Sequence, residues 1–172
     1  MGTLEMLMVG LVGFIFYYYV VTFVLWFSHW FSHQSWSPFR SLHVLGHHVI
    51  YPNSRQSLST RFHYSRGKHD SNFSFLPWLT LLLAMEYFLL PRWLFIVCFI
   101  NMIIVVFEHG MIHLQFHLIQ TPLSRFRWFA RAREIHFVHH DLDKNFGIAD
   151  HFWDRIFGSY FEPIPLSQEK SK

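Results

Sequence analysis

Charge is scarce in this chain. Asp, Glu, Lys and Arg make up 15% of its 172 residues, against 52% hydrophobic and 20% aromatic residues. So little polar surface cannot cover a water-soluble globule of this size. Cysteine is nearly absent. The single one, Cys98, excludes an internal disulfide and leaves the redox compartment open; its place in an apolar run fits packing. The run from Met6 to Phe27 carries no charge at all. It lacks the basic flank and small-residue cleavage site of a signal peptide, and it is long enough to cross a bilayer. It reads as a retained anchor helix.

Two further apolar runs follow, Phe75–Leu90 and Trp93–Phe107, separated by Pro91 and Arg92. A short Pro-Arg break between two such runs predicts a helical hairpin. The expected architecture is an all-α membrane bundle of about three transmembrane helices under a cytosolic helical cap. One domain accounts for it: an anchor (residues 1–28), a loop (29–74), the hairpin (75–118) and a cytosolic segment (119–172). Two core helices of a soluble protein are the alternative for the hairpin, since the second run is short for a crossing. Of the 14 Lys and Arg, all but Arg92 lie in the loop or after the hairpin. Three crossings put both basic segments on one side, which the positive-inside rule makes cytoplasmic.

What the chain has in abundance is histidine: 14 residues. His29 and His33 follow the first run. His43, His47 and His48 come soon after, and His109, His113 and His117 end the third run. His136, His139 and His140 lie within REIHFVHHDLDKNFG, residues 133–147. All four clusters fall on the cytoplasmic side of the charge-derived topology. Along a helix from Trp93, His113 lies about 30 Å away and His117 about 36 Å, level with an interface, while His109 sits deeper at about 24 Å. Residues four apart share a helix face, so two imidazoles can converge on one ion, and neutral imidazole is the commonest protein metal ligand. Ten imidazoles packed without an ion would leave polar groups unpaired. Nitrogen-only sites suit Zn, Fe, Cu and Ni. Ten ligands exceed the four of a structural zinc site, so two ions with open positions fit better, as in a redox di-iron centre.

These motifs resemble those of the fatty acid hydroxylase / sterol desaturase superfamily of membrane di-iron oxygenases. The boxes match at His29 and His33, at His43, His47 and His48, at His113 and His117, and at His136, His139 and His140. Asn145-Phe146-Gly147 and the ending Phe152-Trp153-Asp154-Arg155-Ile156-Phe157-Gly158 are similar to the steps that follow the last box in that family. His47 to Ser54 looks like a region of fatty-acyl 2-hydroxylases. The second box has one residue more before its His pair than many relatives, and the chain has one membrane helix fewer than many. In length and layout it also resembles short bacterial carotenoid hydroxylases.

The resemblance implies two Fe ions, with Zn in an isolated or crystallised form, and O2 as co-substrate. It implies hydroxylation or desaturation of an unactivated C–H of a membrane lipid such as a fatty acyl chain, sphingolipid or sterol. The ten matched histidines are the expected metal ligands, with His109 and His151 in reserve. With no haem or flavin motif visible, electrons come from an external donor of the cytochrome b5 or ferredoxin type. The basic stretches Arg55–Lys68 and Arg125–Arg133 suit such a partner or anionic headgroups; no nucleic-acid partner is expected. Endoplasmic reticulum and bacterial inner membrane stay equal. Glu108, Asp150 and Asp154 are the acidic candidates, one of them to orient an imidazole; an Arg partner for Asp154 stays open. Glu86, inside an apolar run, is a functional candidate or a snorkelling group. A non-catalytic metal-binding membrane protein is the alternative of another class. A transporter fits less well, because it would place its ligands at mid-membrane.

Overall fold

The structure is a computed structural model that describes residues 2–53, 57–61 and 74–162. His63, His69 and most of the Arg55–Lys68 stretch lie outside the described residues. Among the described residues the fold is all-α, with one isolated parallel bridge between Ser59 and Leu118.

Helix α1 spans Thr3–His33, α2 Arg40–His43, α3 Leu76–Leu89, α4 Arg92–Phe116, α5 Arg127–Asp141 and α6 Phe152–Ile156. A π-helical turn, Val44–His48, continues α2, and a 3-10 turn, Pro122–Arg125, precedes α5. The anchor does not stop at Phe27. Nothing in SHWFSH breaks a helix, so α1 runs on and carries His29 and His33 on its last turns. The hairpin forms where Pro and Arg interrupt the apolar run: Pro91 caps α4 and cannot continue α3.

Helices α1 and α4 run parallel. Asn101 Nδ2–H meets Phe14 O, and further along the His109 ring lies 6.2 Å from that of Tyr18. Val21, Leu25, Leu79, Met102 and Val105 form the core between α1, α3 and α4. Helix α3 runs the opposite way: Ser74 O accepts from Ser28 Oγ near one end, and Glu86 accepts from Tyr17 OH at 2.6 Å near the other. Glu86 is thus held between helices rather than reaching an interface. Two helices, Gly10–His33 of α1 and all of α4, have the length and apolar character of a membrane crossing. At about 21 Å, the 14-residue α3 is shorter than a straight crossing of about 30 Å. The outward faces of α1, α3 and α4 are rich in exposed Leu, Ile, Val and Phe, which suits lipid and not water. The apolar helices and the family described below point to a membrane protein.

A second core, Ile112, Phe116, Phe129, Ala132 and Ile148, fixes α5 against the end of α4. Arg133 ties the two together: its guanidinium donates to Gln115 O and Leu118 O, both at 3.1 Å, and lies over the Phe129 ring. It thereby satisfies carbonyls left over at the α4 terminus.

Candidate metal centre

The four histidine boxes converge at one end of the bundle. Nine of the ten matched histidines fall into two groups whose ligand nitrogens lie within 4.8 Å of one another: His29, His33, His43, His48 and His139, and His47, His113, His117 and His136. The tenth, His140, sits between them, with ring centroids 4.4 Å from His48 and 5.0 Å from both His47 and His117.

Local structure explains the division. His29/His33, His113/His117 and His136/His140 are four apart on helical backbone and meet side by side. His43 and His48 are five apart. In an α-helix five residues turn about 500°, which would leave them on different faces. The π-helical turn winds wider and brings His48 back to 5.0 Å from His43, while His47 points into the other group, 4.6 Å from His113. The adjacent pair His47–His48 therefore serves both groups.

Four outer ring nitrogens are held by backbone carbonyls, while Nδ1 of His43 and of His136 is buried without a hydrogen-bond partner. Nδ1 of His29 donates to Phe146 O (2.6 Å), of His139 to Lys144 O (2.8 Å), of His117 to Ser57 O (2.8 Å) and of His140 to Tyr51 O (2.5 Å). His33 instead donates to the Asp143 carboxylate at 2.8 Å. Each bond fixes the tautomer, so the inner Nε2 carries a lone pair. Those inner nitrogens then crowd together. Nε2–Nε2 distances are 2.8 Å for His29–His43, 3.1 Å for His48–His139 and His117–His136, and 3.2 Å for His136–His140 and His47–His113. Nε2 of His33 is buried with no hydrogen-bond partner. So many ring nitrogens brought this close, with the His33 Nε2 buried and orphaned, are better satisfied by a cation between them. The donor set fits a metal at both groups.

Burial and neighbouring imidazoles push His43, His47, His136 and His139 well below the ordinary histidine range. Burial lowers His117 to about 4 and His140 to about 3. All six are neutral at pH 7, the form that binds a metal. The hydrogen bond from His33 holds Asp143 below the usual carboxylate range.

The loop after the last box is built to present its carbonyls. Asn145 adopts a left-handed backbone (φ 56), a conformation Asn tolerates better than most residues. Its buried amide clamps the chain through Phe161 N (2.7 Å), Phe161 O (3.0 Å) and Ile135 O (3.3 Å). At Gly147 a Cβ would lie 2.1 Å from Asp150 O, so only glycine fits. Asp154 anchors the loop from below. Its fully buried carboxylate accepts from Phe146 N, Gly147 N, Trp26 Nε1, Ser159 Oγ and His151 Nδ1 at 2.6–3.2 Å. Among the described residues it has no Arg partner; an Arg pairing is overturned by these five neutral or weakly basic donors. Asp154 touches none of the ten matched imidazoles and reaches them through the loop it holds, most directly through Phe146 and His29.

The other candidates fall outside the two groups. His109 donates to Val105 O within its own helix and lies 3.9 Å from Asp150. The register His113/His117 is the one that converges. His151 pairs with Asp154, Asp150 accepts from Phe152 N, and Glu108 is exposed. Asp143, Tyr51 and Ser57 were missed by sequence reasoning. For Asp143 a signal existed, a carboxylate three residues past His140. For the two carbonyl acceptors there was none, since every residue has a carbonyl.

No curated protein and no solved structure matches the chain. Among protein families, the one described as fatty acid hydroxylase matches residues 14–159, from the middle of α1 to the clamp around Asp154. That stretch contains every histidine of both groups, and its family is one of lipid hydroxylases and desaturases. The chain belongs to the fatty acid hydroxylase family, within the fatty acid hydroxylase/sterol desaturase superfamily.

Proposed function

We propose that the protein is an O2-dependent di-iron monooxygenase that hydroxylates an unactivated C–H of a membrane lipid, with a fatty acyl chain as the first substrate class to test. The observation that carries this reading is the pair of nitrogen-only groups sharing one box, His47–His48, so that two ions would sit side by side. His29, His33, His43, His48 and His139 would hold one ion, and His47, His113, His117 and His136 the other, with His140 between. Two iron ions there supply O2 activation and oxidation of the C–H bond. The balance is R–H + O2 + 2 e− + 2 H+ → R–OH + H2O, with both electrons from a separate donor of the cytochrome b5 or ferredoxin type.

The chain's own residues do the rest. Backbone carbonyls at Phe146, Lys144, Ser57 and Tyr51 hold the imidazoles in one tautomer and one orientation. Phe146 packs against the first group, with its ring 5.3–5.7 Å from His33, His139 and His29. Tyr51 stacks on His117 at 4.1 Å and Phe116 on His136 at 5.2 Å, sealing the second group. The water-poor surround of the second group suits an oxidation that must be shielded from solvent. The parallel run of α1 and α4 supports α3 as a third crossing, with the histidine groups on the cytoplasmic side.

The test is expression in a lipid-competent host, with metal analysis of the purified protein and untargeted lipid analysis of the cells. The expected result is two irons per chain and a hydroxylated lipid that vanishes with His139→Ala. Two metals but no oxidised lipid of any class would favour a non-catalytic metal protein; no metal would end the reading.

A further inference from the structure

Helix α6 sits unexpectedly far down α1. Trp153 Nε1–H lies 3.2 Å from Tyr19 O and 3.1 Å from Thr22 Oγ1, Trp26 donates to Asp154, and Phe157 stacks on Trp26 at 4.6 Å. Tyr19 is about 15 Å along the helix from His29, away from the histidine groups. The apolar segment of α1 runs from Gly10 to His33. A hydrocarbon layer of about 30 Å spans about 20 helical residues. Wherever it is laid within that segment, it includes Tyr19 to Trp26, the stretch on which α6 is docked.

The outward face of α6 matches that depth. Phe152, Ile156 and Phe157 recur at helical spacing and are 41%, 59% and 54% exposed, and Phe161 beyond them is 42% exposed. The segment carries two charges, of which Arg155 is exposed. Asp154 is wholly buried among its donors, and the Arg155 guanidinium folds over the Tyr160 ring at 3.7 Å. Between α6 and α1 runs a groove lined by Phe23, Trp26, Phe27, Trp30 and Phe157, with Ser159 at one end. Its lining is aromatic and carries no charge, so it suits a hydrocarbon chain.

We propose that the segment from Phe152 to Phe161 is embedded in the bilayer leaflet nearer the histidine groups, and that its groove against α1 holds a lipid acyl chain. This departs from the expectation that residues 119–172 are cytosolic. It rests on packing and depth alone, and it stands or falls independently of the oxygenase reading.

The protein is reconstituted in phosphatidylcholine vesicles doped with a phosphatidylcholine bearing a photoreactive diazirine on its acyl chain. After illumination, peptides are mapped by mass spectrometry; no turnover, metal loading or electron donor is needed. Adducts are expected on residues 152–161 and on the Phe23–Trp30 face of α1, at least fivefold above those on α5. Label absent from 152–161 overturns the proposal. As a second reading, spin labels are placed at Ile156→Cys and, for reference, at Glu134→Cys, in a Cys98→Ala background. Oxygen should collide with the label at 156 more often than a water-soluble nickel chelate does, and the order should reverse at 134. Nickel access at 156 equal to that at 134, or low access to both reagents, places the face in water or under a protein and overturns the proposal.

Discussion

The two histidine groups have similar donors but are held by different parts of the chain. The first group leans on the loop after the last box: His29 on Phe146 O, His139 on Lys144 O and His33 on Asp143. That loop is in turn pinned by Asn145 and Asp154. The second group leans on the stretch after the second box. His117 donates to Ser57 O, and the bridge between Ser59 and Leu118 keeps that stretch beside the end of α4, with Ser59 N–H donating to His117 O at 2.9 Å. The first group also borders an open cleft through His33 and Asp143, whose side chain is 77% exposed. The second is stacked over by Tyr51 and Phe116. One centre thus has an accessible half and a sealed half, and each can be perturbed alone.

The largest effect should come from Asp154→Ala. Five donors lose their acceptor in a buried site, a cost of about 3 kcal/mol or more, read as a lower thermal midpoint. Metal analysis of the folded fraction should show the first site emptied before the second. Ser59→Pro removes the N–H that meets His117 O, at about 1–2 kcal/mol, and should invert that order by weakening the second site. If both variants lose the two metals together, the halves are not separable and the comparison fails. A smaller change is expected of Asp143→Asn. It retains an oxygen for His33 but removes the charge, and being exposed it should weaken metal affinity about tenfold, the low end for such partners. Chelator titration should show that loss in one equivalent of metal only. Smallest of all, His109→Gln should leave two metals per chain, since His109 faces Val105 O and Asp150; losing one would move it into the ligand set.

Much of this was legible in the sequence because histidine spacing on helices is a geometric statement. The apolar runs around Pro91 gave their hairpin, and the interface depth of His113 and His117 against that of His109 picked the register that converges. Legibility ended where backbone conformation took over. The extra residue in the second box looked like a departure from the pattern; the π-helical turn absorbs it, and no side chain announces such a turn. The first box seemed to follow the anchor helix, yet the helix simply continues through it. Asp154 invited an Arg partner because charges usually seek charges, but a ring of N–H and O–H donors does the same work in a buried site. Asp143 was passed over because the sequence does not show which way the chain turns after α5.

The acceptors at Phe146, Lys144, Ser57 and Tyr51 have a consequence for how this protein can vary. A carbonyl belongs to the peptide bond and survives any exchange of the side chain beside it. Substitutions at those four positions can alter bulk or polarity while the hydrogen bonds that orient the imidazoles persist. Vulnerability shifts to the neighbours that set the direction of those carbonyls, Asn145 with its left-handed backbone and Gly147 with no space for a methyl group. Besides the histidines themselves, mutational tolerance around the centre should therefore be low at residues such as Asn145 and Gly147, which act through the backbone rather than through a side chain on an imidazole.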